Sequence, residues 1–261
     1  MAAPAACPPF RVVVPARFGS TRLPGKALLP IHGKPLVQWV YERAAAAGAR
    51  EVLLATDDER IVSAARAFGA EALMTAATHA SGTDRIAEVA RRRGWAADDI
   101  VINLQGDEPL MPAVLIRQLA ALLGARPHAD IGTLATPIDS VAELHDPNIV
   151  KVVTDTHGRA LYFSRAPIPW NRDAATAGVP SHGDCGAQRH RGIYAYRVAA
   201  LLRLAQLPVA PLEAREQLEQ LRALEHGLVI WVGEAGEPPG PDVNTPADLQ
   251  RVRAMLAPGA P

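Results

Sequence analysis

Short apolar runs alternate, through the first half of the chain, with stretches whose apolar positions recur every three or four residues. Residues 12–14, 51–56, 72–75, 100–104 and 131–137 read as strands buried on both faces, because polar residues hardly interrupt them. Between them, Leu36, Val37, Val40, Tyr41, Ala44 and Ala47 mark one face of a helix that Gly48 is placed to stop. Ile61, Ala64, Ala65 and Phe68 mark a second helix with Asp58 at its cap, Ser81 or Thr83 caps a third, and 112–123 is a fourth. Strands and helices in strict alternation predict an α/β fold, a mostly parallel sheet flanked by helices.

The second half breaks that alternation. Residues 149–155 and 159–164 predict a hairpin around His157-Gly158, and 188–196 a strand with His190, Gly192 and Tyr194 on one face. A helix over 212–224 turns Leu218, Leu221 and Leu224 to the core and leaves Glu219 and Gln220 pointing elsewhere. A strand at 229–233 and a terminal helix complete a mixed, partly antiparallel half, and 171–186 lacks periodicity and reads as an exposed loop.

Composition narrows the picture. A chain of 261 residues can close one sizeable core, and no linker divides it, so 1–261 is read as a single domain. Lys+Arg and Asp+Glu both number 27, which leaves no net charge to hold a nucleic acid or an anionic membrane. Cys7 and Cys185, without metal-type spacing, read as free thiols of a reducing cytoplasm. Residues 1–9 lack the charged and apolar regions of a secretory signal.

Chemistry concentrates where the first strand opens into Pro15-Ala16-Arg17-Phe18-Gly19-Ser20-Thr21-Arg22-Leu23-Pro24-Gly25-Lys26. Arg17 and Arg22 can grip phosphate oxygens bidentately, Lys26 adds a point charge, and the two glycines let backbone N–H groups approach. The spacing differs from a Walker loop: five residues separate Gly19 from Gly25-Lys26, and Ala27 stands where a hydroxyl is needed. Strand 100–104 ends in Gln105-Gly106-Asp107-Glu108-Pro109, so Asp107 reaches the same sheet edge and can hold a hard cation against the phosphates. Glu108 is read as a cap for the helix at 112–123. Asp57-Asp58 can bind a ligand, with helix capping by Asp58 preferred. Arg165 is read as an ion-pair residue or a carboxylate receptor.

The loop at 15–26 resembles the signature of the cytidylyltransferases that activate 3-deoxy-manno-octulosonate (Kdo), and the likeness runs through most of the chain. The resemblance implies a Rossmann-like nucleotide-diphospho-sugar transferase fold with an antiparallel dimerisation extension. Residues from about 10 to 140 would hold the nucleotide, and those from about 141 to 261 the sugar and the partner of a homodimer. It implies CMP transfer from CTP to the anomeric hydroxyl of Kdo, for lipopolysaccharide synthesis, with Mg2+ as cofactor. Pro15, Ala16, Arg17, Arg22, Lys26 and Gln105 would meet the nucleotide, with Ser81 and Gly82 near its cytosine ring. Arg17, Lys26 and Asp107 would be catalytic, and Gln105, Arg165, His190, Tyr194, Glu219 and Gln220 would bind the sugar.

Relatives usually read Val-Asp-Thr-Pro where this chain has Val243-Asn244-Thr245-Pro246. Asp107 and Asn244 would then hold the metal with one negative charge fewer, unless Asp242 contributes. The rival readings are the same reaction on 8-amino-Kdo or a sialic acid, a sugar-1-phosphate nucleotidyltransferase, and a non-catalytic nucleotide sensor.

Overall fold

The computed structural model describes residues 7–19, 22–172 and 186–257. β1 (Phe10–Pro15) leads through a 3-10 turn at Lys26–Leu28 to a small hairpin, β2 (Pro30–Ile31) and β3 (Lys34–Pro35), and then to α1 (Leu36–Ala46). There follow β4 (Glu51–Thr56), α2 (Glu59–Ala67), β5 (Glu71–Met74), α3 (Gly82–Arg93), β6 (Ile100–Asn103) and α4 (Ala113–Gly124). Next come β7 (Ile131–Pro137), α5 (Val141–His145) and the hairpin β8 (Lys151–Thr154) and β9 (Ala160–Ser164). β10 (Gln188–Arg197), α6 (Val198–Leu204), α7 (Pro211–Glu216), α8 (Gln220–Glu225), β11 (Ile230–Glu234) and α9 (Pro246–Met255) complete the described chain.

The main sheet runs β11-β7-β10-β6-β1-β4-β5, and every strand in that row except β10 points the same way. β8 and β9 attach antiparallel beside the start of β10. Val12, Val13 and Val14 of β1 are all fully buried, as an unbroken apolar run demands. Val12 and Val14 face α1, α2 and α4, whereas Val13 faces α3, α6 and α8. The expected largely parallel α/β sheet between helices is therefore the fold observed.

Local signals act as read at several ends. Gly48 takes φ +75 after α1, Asp58 accepts the Arg60 N–H at 2.9 Å, and Ser81 forms a capping box with Asp84. The expected helix at 212–224 is instead two short ones, α7 and α8, broken where Gln217 adopts a left-handed φ of +54. β10 carries a bulge, since Arg191 pairs with Leu134 but Tyr194 with Thr133, leaving Gly192 and Ile193 without partners on β7.

A separate small core of Ile31, Leu36, Val243, Leu249 and Val252 holds α9 and the segment before it against the hairpin. Among the described residues, no helix is long and apolar enough to cross a membrane. Cys7 is a free, exposed thiol. The readings of Cys185, and of the 171–186 loop between 173 and 185, lie outside the described residues.

Candidate active site at the carboxyl edge of the sheet

β1 and β6 pair in parallel with Val13 opposite Asn103, so the loops that follow them leave the same edge side by side. The first loop is set by Phe18, whose ring packs under the Arg60 guanidinium at 3.3 Å and against Gly25. Gly25 needs its freedom, because its φ is +66 and a Cβ there would stand 3.3 Å from that ring. From Gly25 the 3-10 turn begins and carries Lys26 across to the second loop.

Lys26 Nζ donates to Asp107 Oδ2 at 2.6 Å, with the two side chains only 17% and 23% exposed. Asn244 Oδ1 accepts from the same ammonium at 3.4 Å and from Arg22 at 3.0 Å. The neighbouring Val243 N–H donates to the Asp107 carbonyl at 2.9 Å, which fixes the last segment over the second loop. Around this point lies a cavity of about 310 Å³, within the range of small-molecule sites. Pro15, Ala16, Arg17, Arg22, Lys26, Ser81, Gly82, Gln105, Asp107 and Asn244 line it. Every residue expected near the nucleotide thus borders one cavity.

His79 and Arg85 also line it; the sequence reading took in the block from 79 to 85 and gave neither of them a role of its own. His79 Nε2 bonds Glu88 at 2.6 Å, while the buried Arg85 reaches Thr75 and pairs with Asp57 at 2.8 Å. Asp57 therefore serves Arg85. Their signal was position: His79 lies two residues before Ser81, and Arg85 four residues after it, one helical turn away.

The residues expected to meet the sugar spread out from Gln105. Tyr194 pairs across the strands with Asn103, its ring stacks on Tyr196, and His190 lies 5.3 Å from it between centroids. Among the described residues the buried Tyr194 hydroxyl has no partner. Glu219 and Gln220 turn inward instead of to the surface, because the break at Gln217 redirects the chain. Glu219 accepts from the Thr83 hydroxyl at 2.5 Å, and Gln220 is buried. Arg165 stands apart, donating to the carbonyls of Glu216 and Pro147, both at 2.8 Å.

Burial beside Phe163, Tyr194 and the cationic Arg191 pushes the His190 imidazole down to about 3, and its Nε2 bonds the Thr133 hydroxyl at 3.0 Å. An unfolded chain protonates this histidine near 6.5 while the folded chain does not, so stability falls as pH drops from about 6.5 towards 3. We expect His190→Gln to lack this share of acid sensitivity. Thermal melts between pH 4 and 7 in which variant and parent lose stability in parallel would refute it.

Glu108 corrects the sequence reading: α4 starts at Pro112 without a side-chain cap, and Glu108 Oε2 is buried with no partner among the described residues. Burial, with Asp107 and Asp242 nearby, raises its carboxyl to about 8. Asp107 and Asn244, by contrast, aim two hard oxygens at one cationic group, the Lys26 ammonium. Oxygen donors of this kind suit Mg2+, so the residues present fit it. No cluster of three His, Cys, Asp or Glu is found among the described residues. An ion here would rely on phosphates and water for its remaining ligands, as Mg2+ commonly does.

A basic loop and an acidic one meet at the carboxyl edge of a mostly parallel sheet, the place where such folds bind ligands. Residues 11–230 match the cytidylyltransferase family. The 3-deoxy-manno-octulosonate cytidylyltransferase of Cellvibrio japonicus is 56% identical over 96% of this chain and 99% of its own. That of Pseudomonas syringae pv. syringae is 54% identical over 95% and 98%. Among solved structures, a CMP:2-keto-3-deoxy-manno-octonic acid synthetase complexed with CTP superposes with a TM-score of 0.87 at 46% identity, covering 96% of this chain and 99% of that one. A cytidylyltransferase from Leptospira borgpetersenii, with a TM-score of 0.60 at 16% identity over 94% and 85%, shares the fold alone. The chain belongs to the 3-deoxy-manno-octulosonate cytidylyltransferase family.

Proposed function

We propose that this chain transfers CMP from CTP to the anomeric hydroxyl of Kdo and releases pyrophosphate. The observation that carries the proposal is the convergence of Lys26, Asp107 and Asn244 on one point of a cavity that Arg17 and Arg22 also line. Three cations there can balance a triphosphate, and the departing pyrophosphate keeps their charge company as the bond to the α-phosphate breaks. Among the described residues Arg17 makes no ion pair, so its guanidinium is available to the phosphates. Lys26 exchanges its present partners for phosphate oxygens. Asp107 and Asn244 would hold Mg2+, which when bound supplies charge neutralisation and acidifies the attacking hydroxyl.

Gln105, His190, Tyr194, Glu219 and Gln220 present amides, an imidazole, a phenol and a carboxylate, a donor and acceptor set that suits a polyol. The unpartnered Tyr194 hydroxyl supports this, since an incoming sugar oxygen would satisfy it. Arg165 receives the sugar carboxylate by giving up the Pro147 carbonyl. Nucleotide contacts then come from the half before about residue 140 and sugar contacts mostly from the half after it. We infer a cytoplasmic homodimer that associates through the antiparallel half, where Leu161 and Trp170 lie exposed; a monomer by analytical ultracentrifugation would refute it.

The test is pyrophosphate release from CTP with Kdo, 8-amino-Kdo or a sialic acid. Kdo is expected to support the fastest turnover; binding of CTP without pyrophosphate on adding Kdo would overturn the proposal. Asn244→Asp adds a charged ligand and is expected to lower the Mg2+ concentration for half-maximal rate severalfold. An unchanged Mg2+ titration would remove Asn244 from the metal shell.

A further inference from the structure

Two oppositely charged side chains hold the backbone of Arg165 from its two ends. The Arg165 N–H donates to Glu216 Oε2 at 2.9 Å, and the Arg165 carbonyl accepts from Lys151 Nζ at 2.6 Å. β9 ends at Ser164, so no strand ladder fixes residue 165. Bonds to charged groups are roughly twice as strong as neutral ones, and here they take the place of that ladder.

Lys151 opens β8 opposite Ser164 and is fully buried. Its ammonium also donates to the carbonyls of Asp146 at 3.0 Å and Ile149 at 2.7 Å. An ammonium has three protons, and all three are thereby spent on backbone oxygens. These partners replace the water that a buried charge has lost, and they leave Lys151 no proton for a substrate. Glu216, the last residue of α7, works from the opposite side. Its Oε1 accepts from the Ser164 hydroxyl at 2.7 Å, and its carbonyl accepts from Arg165 Nε at 2.8 Å. With Nε committed there, the guanidinium has its two Nη groups to offer a carboxylate, Nη1 resting for now on the Pro147 carbonyl. The same anchors reach towards other residues expected at the sugar. The His190 N–H donates at 2.8 Å to the carbonyl of Val150, beside Lys151, and Glu219 follows Glu216 by three residues across the left-handed Gln217.

We propose that Lys151 and Glu216 are positioning residues that clamp Arg165 between them and aim its guanidinium at the sugar carboxylate. Neither touches substrate, and both act through Arg165. The inference rests on the reading that Arg165 receives that carboxylate. Without the Glu216 carboxylate, the Arg165 N–H and the Ser164 hydroxyl lose their acceptor together, and the end of β9 is free to shift the guanidinium off its aim.

Glu216→Ala removes both acceptor oxygens. Glu216→Gln keeps one for the Arg165 N–H, and the Ser164 hydroxyl can accept from the new amide. We expect Glu216→Ala to raise the KM for Kdo about tenfold and that for CTP less than about threefold, with Glu216→Gln close to the parent. Lys151→Met, which releases the Arg165 carbonyl, is expected to move the Kdo KM in the same direction and serves if Glu216→Ala does not fold. Arg165→Ala is expected to raise the Kdo KM on its own, and adding Glu216→Ala to it should then change that KM less than about twofold. Equal rises in both KM values, no change in either, a glutamine variant no better than alanine, or full additivity with Arg165→Ala would overturn the clamp. An unchanged Kdo KM in Arg165→Ala would instead overturn the reading of Arg165 as the carboxylate receptor. Failure of the parent protein to turn over Kdo would overturn the proposed function, so the failures are told apart.

Discussion

Asp107→Asn is expected to lower kcat/KM for pyrophosphate release on the order of a hundredfold, with most of the loss in kcat. The substitution keeps the size of the side chain and removes its charge, so the effect reads electrostatics and little else. In the free protein that charge balances the Lys26 ammonium at 2.6 Å. During reaction, the same charge becomes the one anionic side chain the proposed metal shell has, Asn244 being neutral. Loss of one such stabilising group costs about 3 kcal/mol of barrier, which is about two orders of magnitude in rate. Steady-state kinetics at saturating Mg2+ check it. Turnover within twofold of the parent would mean that Asp107 only tethers Lys26.

Gly106→Ala should also be severe, for a steric reason. A Cβ at 106 would stand 2.8 Å from the Pro15 carbonyl oxygen and 3.5 Å from the Ala16 Cβ. The carbonyl is backbone at the end of a buried strand and cannot rotate away as a side-chain tip would. The methyl group therefore wedges the basic loop from the acidic one. Overpacking of this kind costs about 1–3 kcal/mol of stability, and the separation of Lys26 from Asp107 adds at least a tenfold loss of kcat/KM. Gly236→Ala, away from the cavity, is the matched control, since within 4 Å a Cβ there meets only the Gln118 Oε1, at 3.5 Å. Melting and kinetics on the pair decide it: similar behaviour of the two variants would show that the approach at Gly106 is not what sets the site.

The strand ends and the helix caps were legible because they obey local rules. β4 and β7 begin and end where their apolar runs do, and Asp58 and Ser81 cap as their positions predict. The gathering of Arg17, Arg22 and Lys26 near Asp107 follows from two parallel neighbours ending together. What escaped the sequence depends on distant partners. Gln217 carries no turn signature, yet it breaks the helix. Glu216 is drawn to Ser164 at 2.7 Å and Glu213 to Arg222 at 2.7 Å, fixing both sides of the kink. Glu108 had the look of a cap, but Pro112 opens α4 on its own, and the carboxyl is buried at the sheet edge. The bulge in β10 answers to pairing with β7, and its one local mark, Gly192 inside the strand, was read only as a position on one face.

The bridge from Lys26 to Asp107 and Asn244 means that the ligand-free protein already keeps its two oxygen ends gathered around a positive occupant. On the proposed reading, loading the site would trade one cation for another: the ammonium would turn to the triphosphate, and Asp107 and Asn244 would be left to hold Mg2+. The charge at that seat would rise only from one to two. Discrimination between nucleotide with and without its counter-ion should therefore be sharp, because the bare anion would draw the lysine from Asp107 and leave that carboxylate without its charge partner.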